Sequence, residues 1–477
     1  MKLAARRGFA ASMIEAFERA HQMTASASTR ARLFPVVLVL MLLASQALPG
    51  VAQPAPSALA PQVLTLRDQA ALQNRWLAAR FESILPEVMR REQIDMWVVI
   101  CREHNEDPIY TTLVPAPSLF AWRLTMLVFF DRGAEGIEKL IVNPYGSGDL
   151  HKAFADFYTP AFEPAGATPW QRLAGIIKAR NPKKIAVDES ETFAFADGLT
   201  ATHKALLMKA LDSDLARRVV PATRLAVGWL ERRSADELAF YSKIVALNHA
   251  IVAEAFSRKV ITPGVTTIDD LAWWVRERIA ESKLGTWFQP MFYITRRASS
   301  PARNPRVIEP GDMLRCDIGI TYLGLTADIQ QVAYVPRQGE TDAPKGLRDA
   351  LAAANRLQDI LVTEMKPGRT GNAVLAAALA KARSEGLVPR IYSHPLGYHG
   401  HAAGSRIGLP DMQDGVAGMG DYPVYPDVCW AIELSVRARI PEWGGQEVTM
   451  AVEEDAAFTA KGVSFLDGRQ TRFHLVR

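Results

Sequence analysis

The chain has few cysteines, no apolar run long enough to span a membrane, and almost no net charge outside its first 52 residues. Each absence excludes something. The three cysteines, Cys101, Cys316 and Cys429, stand far apart in 477 residues. They offer neither a disulfide framework nor the C-x-x-C spacing of structural zinc. Each lies in an apolar, strand-like stretch, which predicts a small buried hydrophobe. The formal charge is +4, and residues 1–52, with six Lys or Arg against two Glu, account for all of it. The near-neutral remainder gives no electrostatic case for nucleic acid or an anionic membrane as partner. No Gly-rich phosphate loop is present.

What is there begins with export. Arg30 and Arg32 precede the apolar run Leu33–Ala44, and small residues follow in SQALPGVAQPAPS. The run is short for the ~20 residues a bilayer needs. A basic stretch, a short apolar stretch and small residues together predict a secretory signal peptide over residues 1–52, cut after Ala52 or Ala47. The expected product is periplasmic or secreted, without a stable membrane anchor. Translation can start at Met1 or at Met23. Residues 53–66 read as a Pro/Ala-rich linker.

The remaining length suggests two domains. Over 67–229 an amphipathic helix is followed by short apolar runs (IDMWVVI, RLTMLVFF, KLIVN, KKIAVD) that alternate with helical pieces. This pattern predicts an α/β domain with a covered sheet. From 230 to 477 a second domain opens on a helix with a capping box, Ser234 with Glu237, and passes after Met291 into strands and Gly/Pro loops.

Chemistry concentrates in that second part. Three of nine histidines fall within HPLGYHGH, His394 to His401. The stretch can be a polar loop punctuated by Pro395, Gly397 and Gly400, or a metal site. In DMLRCDIGITYLGLTADIQQVAYV, a two-residue turn at Tyr322–Leu323 would set Asp317 directly opposite Asp328, whereas a different register leaves both aspartates solvated. Like charges there are destabilising and need a cation, a shared proton or water. Glu433 interrupts the apolar run VCWAIELSV, and Glu453 ends VTMAV. Four carboxylates and one imidazole make a donor set suited to Mn, Co or Zn.

With that spacing the chain resembles the pita-bread metallopeptidases: Xaa-Pro aminopeptidases, prolidases and methionine aminopeptidases. MRREQIDMWVVICREHNEDPIY looks like the opening of the creatinase-type N-terminal domain, and residues from about 230 look like the catalytic domain. The resemblance implies a pita-bread α+β domain that holds two divalent ions, manganese first and cobalt or zinc as alternatives. The implied ligands are Asp317, Asp328, His394, Glu433 and Glu453, with Asp317 and Glu453 bridging, and Glu454 is passed over because Glu453 lies nine residues before Gly462. It implies His401 as the catalytic histidine near the scissile bond, leaves His399 either as a donor behind the site or as part of the loop, and names no substrate-binding residue. The implied reaction is hydrolysis of an N-terminal Xaa-Pro bond of a peptide by a metal-bridging hydroxide. Alternatives are a peptide-binding relative with little hydrolysis and a dinuclear hydrolase of a non-peptide amide. A homodimer or higher homo-oligomer is left open.

Two departures from the family pattern stand out. A further catalytic histidine is expected about seventeen residues before Asp317, where this chain has Ser300. Proline-specific relatives carry Arg two residues before the last glutamate, where this chain has Ala451. Arg296, Arg297 or Arg303 is the nearest cationic replacement for the lost histidine.

Overall fold

The computed structural model describes residues 62–143, 152–161, 166–300 and 304–477. Residues 1–52, where the sequence leads one to expect a signal peptide, and Arg303 lie outside the described residues. The described residues pack as one compact unit.

Helix α1 (Leu66–Arg91) starts on the Thr65 side chain, which accepts from Asp68 N. It is followed by strands β1 (Met96–Arg102), β2 (Leu124–Asp131), β3 (Ile137–Val142) and β4 (Thr159–Pro160), helix α2 (Pro169–Arg180) and β5 (Ile185–Val187). Helix α3 (Ala201–Ala210), β6 (Val219–Pro221) and helix α4 (Thr223–Glu231) complete this part. The six strands form one sheet in the order β4-β3-β2-β1-β5-β6. Strand β1 shows why it is covered on both sides. Trp97, Val99 and Cys101 pack with the apolar stripes of α1 and α4, while Met96, Val98 and Ile100 pack with Leu173, Ile176, Ile177 and Leu207 of α2 and α3. Side chains of a strand alternate between faces, so a run apolar at every position needs a layer on each. This is the covered α/β sheet expected from the sequence.

Helix α5 (Ala235–Ala255) carries the expected capping box, Ser234 with Glu237, and α6 (Ile268–Glu281) another, Thr267 with Asp270. Short strands follow: β7 (Gly285–Thr286), β8 (Met291–Thr295), β9 (Met313–Asp317), β10 (Ile320–Tyr322), β11 (Leu325–Thr326) and β12 (Val332–Tyr334). After helices α7 (Lys345–Glu364) and α8 (Gly371–Ser384) come β13 (Pro389–Ile391), β14 (His394–Leu396), β15 (Val428–Ile440), β16 (Gln446–Thr459), β17 (Gly462–Phe465) and β18 (His474–Leu475). The long hairpin β15/β16 pairs over thirteen positions. Helices α7 and α8 cover it through Leu347, Leu351, Leu361 and Leu375, and α5 and α6 cover the opposite layer through Tyr241, Ile251, Leu271 and Ile279. The three cysteines are buried free thiols. Among the described residues no helix is long and apolar enough to cross a membrane.

The expected hairpin register is corrected here. The turn lies at Leu323–Gly324, both with positive φ (57° and 76°), not at Tyr322–Leu323. Two left-handed residues match the twist of a tight hairpin, and glycine takes the second position without strain. Thr321 therefore opposes Thr326, and Ile318 opposes Ile329. Asp317 and Asp328 are diagonal neighbours instead of direct partners. Because the pairing moved by two residues, both still point to one face.

Candidate metal centre

Five elements bring the acidic and imidazole side chains together. Asp317 ends β9, Asp328 follows β11, His394 opens β14, and Glu433 and Glu453 are direct cross-strand partners on β15 and β16. His394 pairs with Ala431 on β15, two residues from Glu433 and on the same face. The donor atoms fall into overlapping sets: Asp317, Asp328 and Glu453; His394, Glu433 and Glu453; and Asp328, His394 and His401. Within each set all atoms lie within 4.8 Å of one another. Glu453 is common to the first two. His394 Nε2 is 3.5 Å from Glu453, 3.8 Å from Glu433 and 3.9 Å from Asp328.

The electrostatics of this cluster are unfavourable as they stand. Burial, reinforced by repulsion from neighbouring carboxylates, raises Asp328 and Glu453 well above the usual carboxylate range and pushes Glu433 up to about 8. Burial pushes Asp317 up to about 6. His394 Nε2, Asp328 Oδ1 and Glu453 Oε1 are buried without a hydrogen-bond partner. The other imidazole nitrogen, Nδ1, lies 3.2 Å from the Pro395 carbonyl and donates its proton there, which leaves the Nε2 lone pair aimed at the carboxylates. Orphaned lone pairs converging from oxygen and imidazole suit divalent cations of the Mn, Co and Zn kind.

Side chains that the sequence reading did not single out hold this arrangement. Gln330 Nε2 donates to Glu433 Oε1 (2.7 Å) and to Glu453 Oε2 (2.8 Å), and its Oε1 accepts from Arg315 Nη1 at 2.8 Å. Asp455 accepts from the Asp328 backbone N–H. Gln330 had a signal, since it lies two residues beyond Asp328 and shares its face. Arg315 and Arg406 are the cations beside the carboxylates; Arg315 had the same signal as Gln330, two residues before Asp317 on its face of β9, whereas Arg406 follows no periodic pattern that would mark it.

His401 is solvent-accessible, with its ring 4.7 Å from that of His394 and 5.1 Å from Trp287. Burial first, and Arg406 second, lower its pKa to about 4. His399 belongs to no donor set and stacks on Phe195 at 3.7 Å. Glu454 points the other way, to His249 Nε2 (2.8 Å), Gln331 Nε2 (2.9 Å) and the Gln470 N–H (2.8 Å). Ser300 is bonded to Arg337. Arg296 is spent on Asp312 and so does not replace the missing histidine. Ala451 is buried on β16 opposite Ser435. Trp287 fills the space beside two glycines: a Cβ on Gly319 would lie 2.2 Å from its Nε1, and one on Gly400 2.1 Å from its ring.

Residues 240–459 match the model of metallopeptidase family M24. The fold is similar to that of an X-Pro aminopeptidase from Thermotoga maritima MSB8, at 16% identity over 82% of this chain and 100% of that one, with a TM-score of 0.57. An Xaa-Pro dipeptidase from Bacillus anthracis matches at 16% identity over 85% and 100%, with a TM-score of 0.54. Dipeptidase PepE from Mycobacterium ulcerans matches at 20% identity over 85% and 98%, also at 0.54. No curated protein matches the chain. Its architecture is an α/β sheet followed by a pita-bread α+β fold.

Proposed function

We propose that this protein hydrolyses the N-terminal Xaa-Pro, or a related, peptide bond of peptides with two divalent metal ions, manganese first among them. The observation that carries the reading is the convergence of Asp317, Asp328, His394, Glu433 and Glu453 with buried, unpartnered lone pairs. The M24 match and the Xaa-Pro peptidases among the similar structures support the substrate class. These five residues would hold the ions; Glu453, Asp328 and His394 each belong to two of the three donor sets. Asp317 joins one set only. Bound divalent ions supply Lewis-acid polarisation of a carbonyl and water acid enough to ionise near neutral pH.

The chain's own side chains do the rest. Gln330 fixes the two opposed glutamates, and the Pro395 carbonyl fixes the His394 ring. His401 stands at the solvent-facing edge with a neutral ring at pH 7, able to donate its N–H to the oxygen that gains charge in the transition state. The division of labour assigns residues 67–229 to a creatinase-type N-terminal domain and 230–477 to catalysis. Residues 1–52 direct export. Metal analysis of the purified mature protein, with a panel of Xaa-Pro and non-proline peptides, tests the proposal. Stoichiometric metal with hydrolysis of Xaa-Pro substrates is expected. A metal-loaded protein that cleaves no peptide refutes it.

A further inference from the structure

Arg80 and Arg233 are buried charges met by an opposite one: they share Glu237 and donate to the carbonyls of Trp229, Leu230 and Arg232. Far from the metal centre, Asp107 and Asp188 are buried charges of a different kind. Each is 1% exposed. Asp188 follows β5, and its Oδ1 accepts from Trp97 Nε1 of β1 at 2.7 Å. Asp107 lies in the loop after β1, and its Oδ1 accepts from the Ile109 N–H at 3.0 Å. The second oxygens, Asp107 Oδ2 and Asp188 Oδ2, are buried and receive no bond from the groups around them. The two carboxyl groups face each other within hydrogen-bonding reach. An ionised carboxylate can only accept, so a bond between the two requires a proton on one of them.

The groups that face the pair supply no positive charge. Strand β1 contributes the Trp97 indole and the Cys101 thiol, which burial pushes up to about 12. The loop after β1 adds Glu106, and the segment after β5 adds Asp197. Burial raises Asp107 to about 6 and, with repulsion from Asp107, holds Asp188 well above the usual carboxylate range. One proton is therefore shared by the pair at neutral pH. That proton closes the base of a segment that reaches the histidine loop. Leu199 N donates to Asp188 O at 2.9 Å, so residues 188–199 begin and end together. Gly198 packs on Asp107, where a Cβ would lie 2.1 Å from the carboxyl carbon. Between them a 3-10 turn, Ala194–Ala196, carries Phe195, whose ring stacks on His399 at 3.7 Å. Two ionised carboxylates cannot stay in contact in so dry a place. Their route to water is to part the segment from the Asp107 loop, and Phe195 travels with the segment.

We infer that Asp107 and Asp188 form a clasp closed by one shared proton, which locks the Phe195 segment against the histidine loop and releases it in alkali. The clasp stands apart from the metal ligands and from any reaction they perform. A carboxyl group freed into water ionises near pH 4. The contribution of the clasp is therefore fully present below that value and is lost as pH rises toward the values of the closed pair. Above about pH 6, where one proton remains, opening is favoured about tenfold per pH unit until the closed pair itself ionises.

The test is hydrogen exchange read by mass spectrometry from pH 6 to pH 9, corrected for the base catalysis of exchange itself. The protein is kept loaded with metal, which holds the carboxylates of the metal centre ionised throughout. Residues 188–199 of the wild type should open about tenfold more per pH unit, and residues 394–401 should follow. Asp107→Asn replaces the shared proton with an amide N–H that does not titrate, so it should flatten the slope in both stretches. Asp188→Asn should do the same from the other side, and it decides the matter if Asp107→Asn folds poorly. Phe195→Ala should keep the slope in 188–199 and remove it from 394–401. A flat wild-type profile overturns the inference. So does a slope that the Asn variants share, or a wild-type slope confined to 188–199.

Discussion

Glu433 and Glu453 face each other directly across β15 and β16, and a single amide group, Gln330 Nε2, bonds to both. Opposed like charges weaken an antiparallel pair. Here they occupy the middle of the longest hairpin in the described fold, so the strain is confined where thirteen paired positions can carry it.

Gln330 is therefore expected to set metal affinity without being a ligand. Gln330→Ala should weaken binding by about 10–100-fold, the usual effect of removing a group that orients ligands. Titration calorimetry with Mn²⁺ checks it. An unchanged Kd would show that the two glutamates hold their positions unaided.

Removing the ligands should be more severe. Asp328→Ala and Glu433→Ala should each strip most of the metal and abolish hydrolysis. Glu454→Gln should keep the metal, because Glu454 bonds to His249, Gln331 and Gln470 instead. Its cost should be stability, about 1–3 kcal/mol for a weakened buried charged bond. Elemental analysis and thermal melts separate the two outcomes.

His394 and His401 should differ in the same way. His394→Ala should lower metal occupancy, and activity with it. His401→Ala should retain metal and lose about 10²–10³-fold in kcat, as expected for one oxyanion donor. If His401→Ala loses metal and His394→Ala keeps it, the roles are reversed; the set Asp328, His394 and His401 makes that arrangement geometrically available.

The metal-free protein should lose stability as pH rises. Asp317 and Glu433 are raised in the fold to about 6 and about 8. A carboxyl group raised on folding holds its proton longer in the native state than in the unfolded one. Its contribution is fully present below the ordinary carboxylate value of about 4 and disappears as pH climbs through the folded value. Metal reverses the sign by favouring the ionised form. The gap in Tm between loaded and EDTA-treated protein should widen steadily from pH 5 to pH 9. A constant gap would count against these carboxylates as ligands.

Much of this was legible in the chain because strand alternation and turn chemistry are local. The apolar run of β1 announced a covered sheet, and Ser234 with Glu237 announced the start of α5. The hairpin turn was misplaced by one residue, Tyr322–Leu323 in place of Leu323–Gly324, because tolerance of positive φ at Leu323 is not visible from its type. The common face of Asp317 and Asp328 withstood the error, since moving the pairing by two preserves parity. Arg406 was not legible. Its importance comes from which strands cross in space, and a lone arginine in a loop carries no period to betray it. Glu237 was read as a cap and is also the shared anion of two buried arginines, a second role set by α1 arriving from far upstream.

That shared anion has a consequence for how the molecule can be divided. Arg80 and Arg233 flank Tyr398, at 5.2 and 4.6 Å from its ring, and Phe195 stacks on His399 next to it. Arg80 and Phe195 thus brace, from outside, the very loop that runs from His394 to His401. A fragment cut at residue 230 would contain every donor atom and still lack both braces, exposing one face of Tyr398 and the ring of His399 to water. The two halves are separable on a sequence diagram but not as working parts: the histidine loop is assembled at the seam between them.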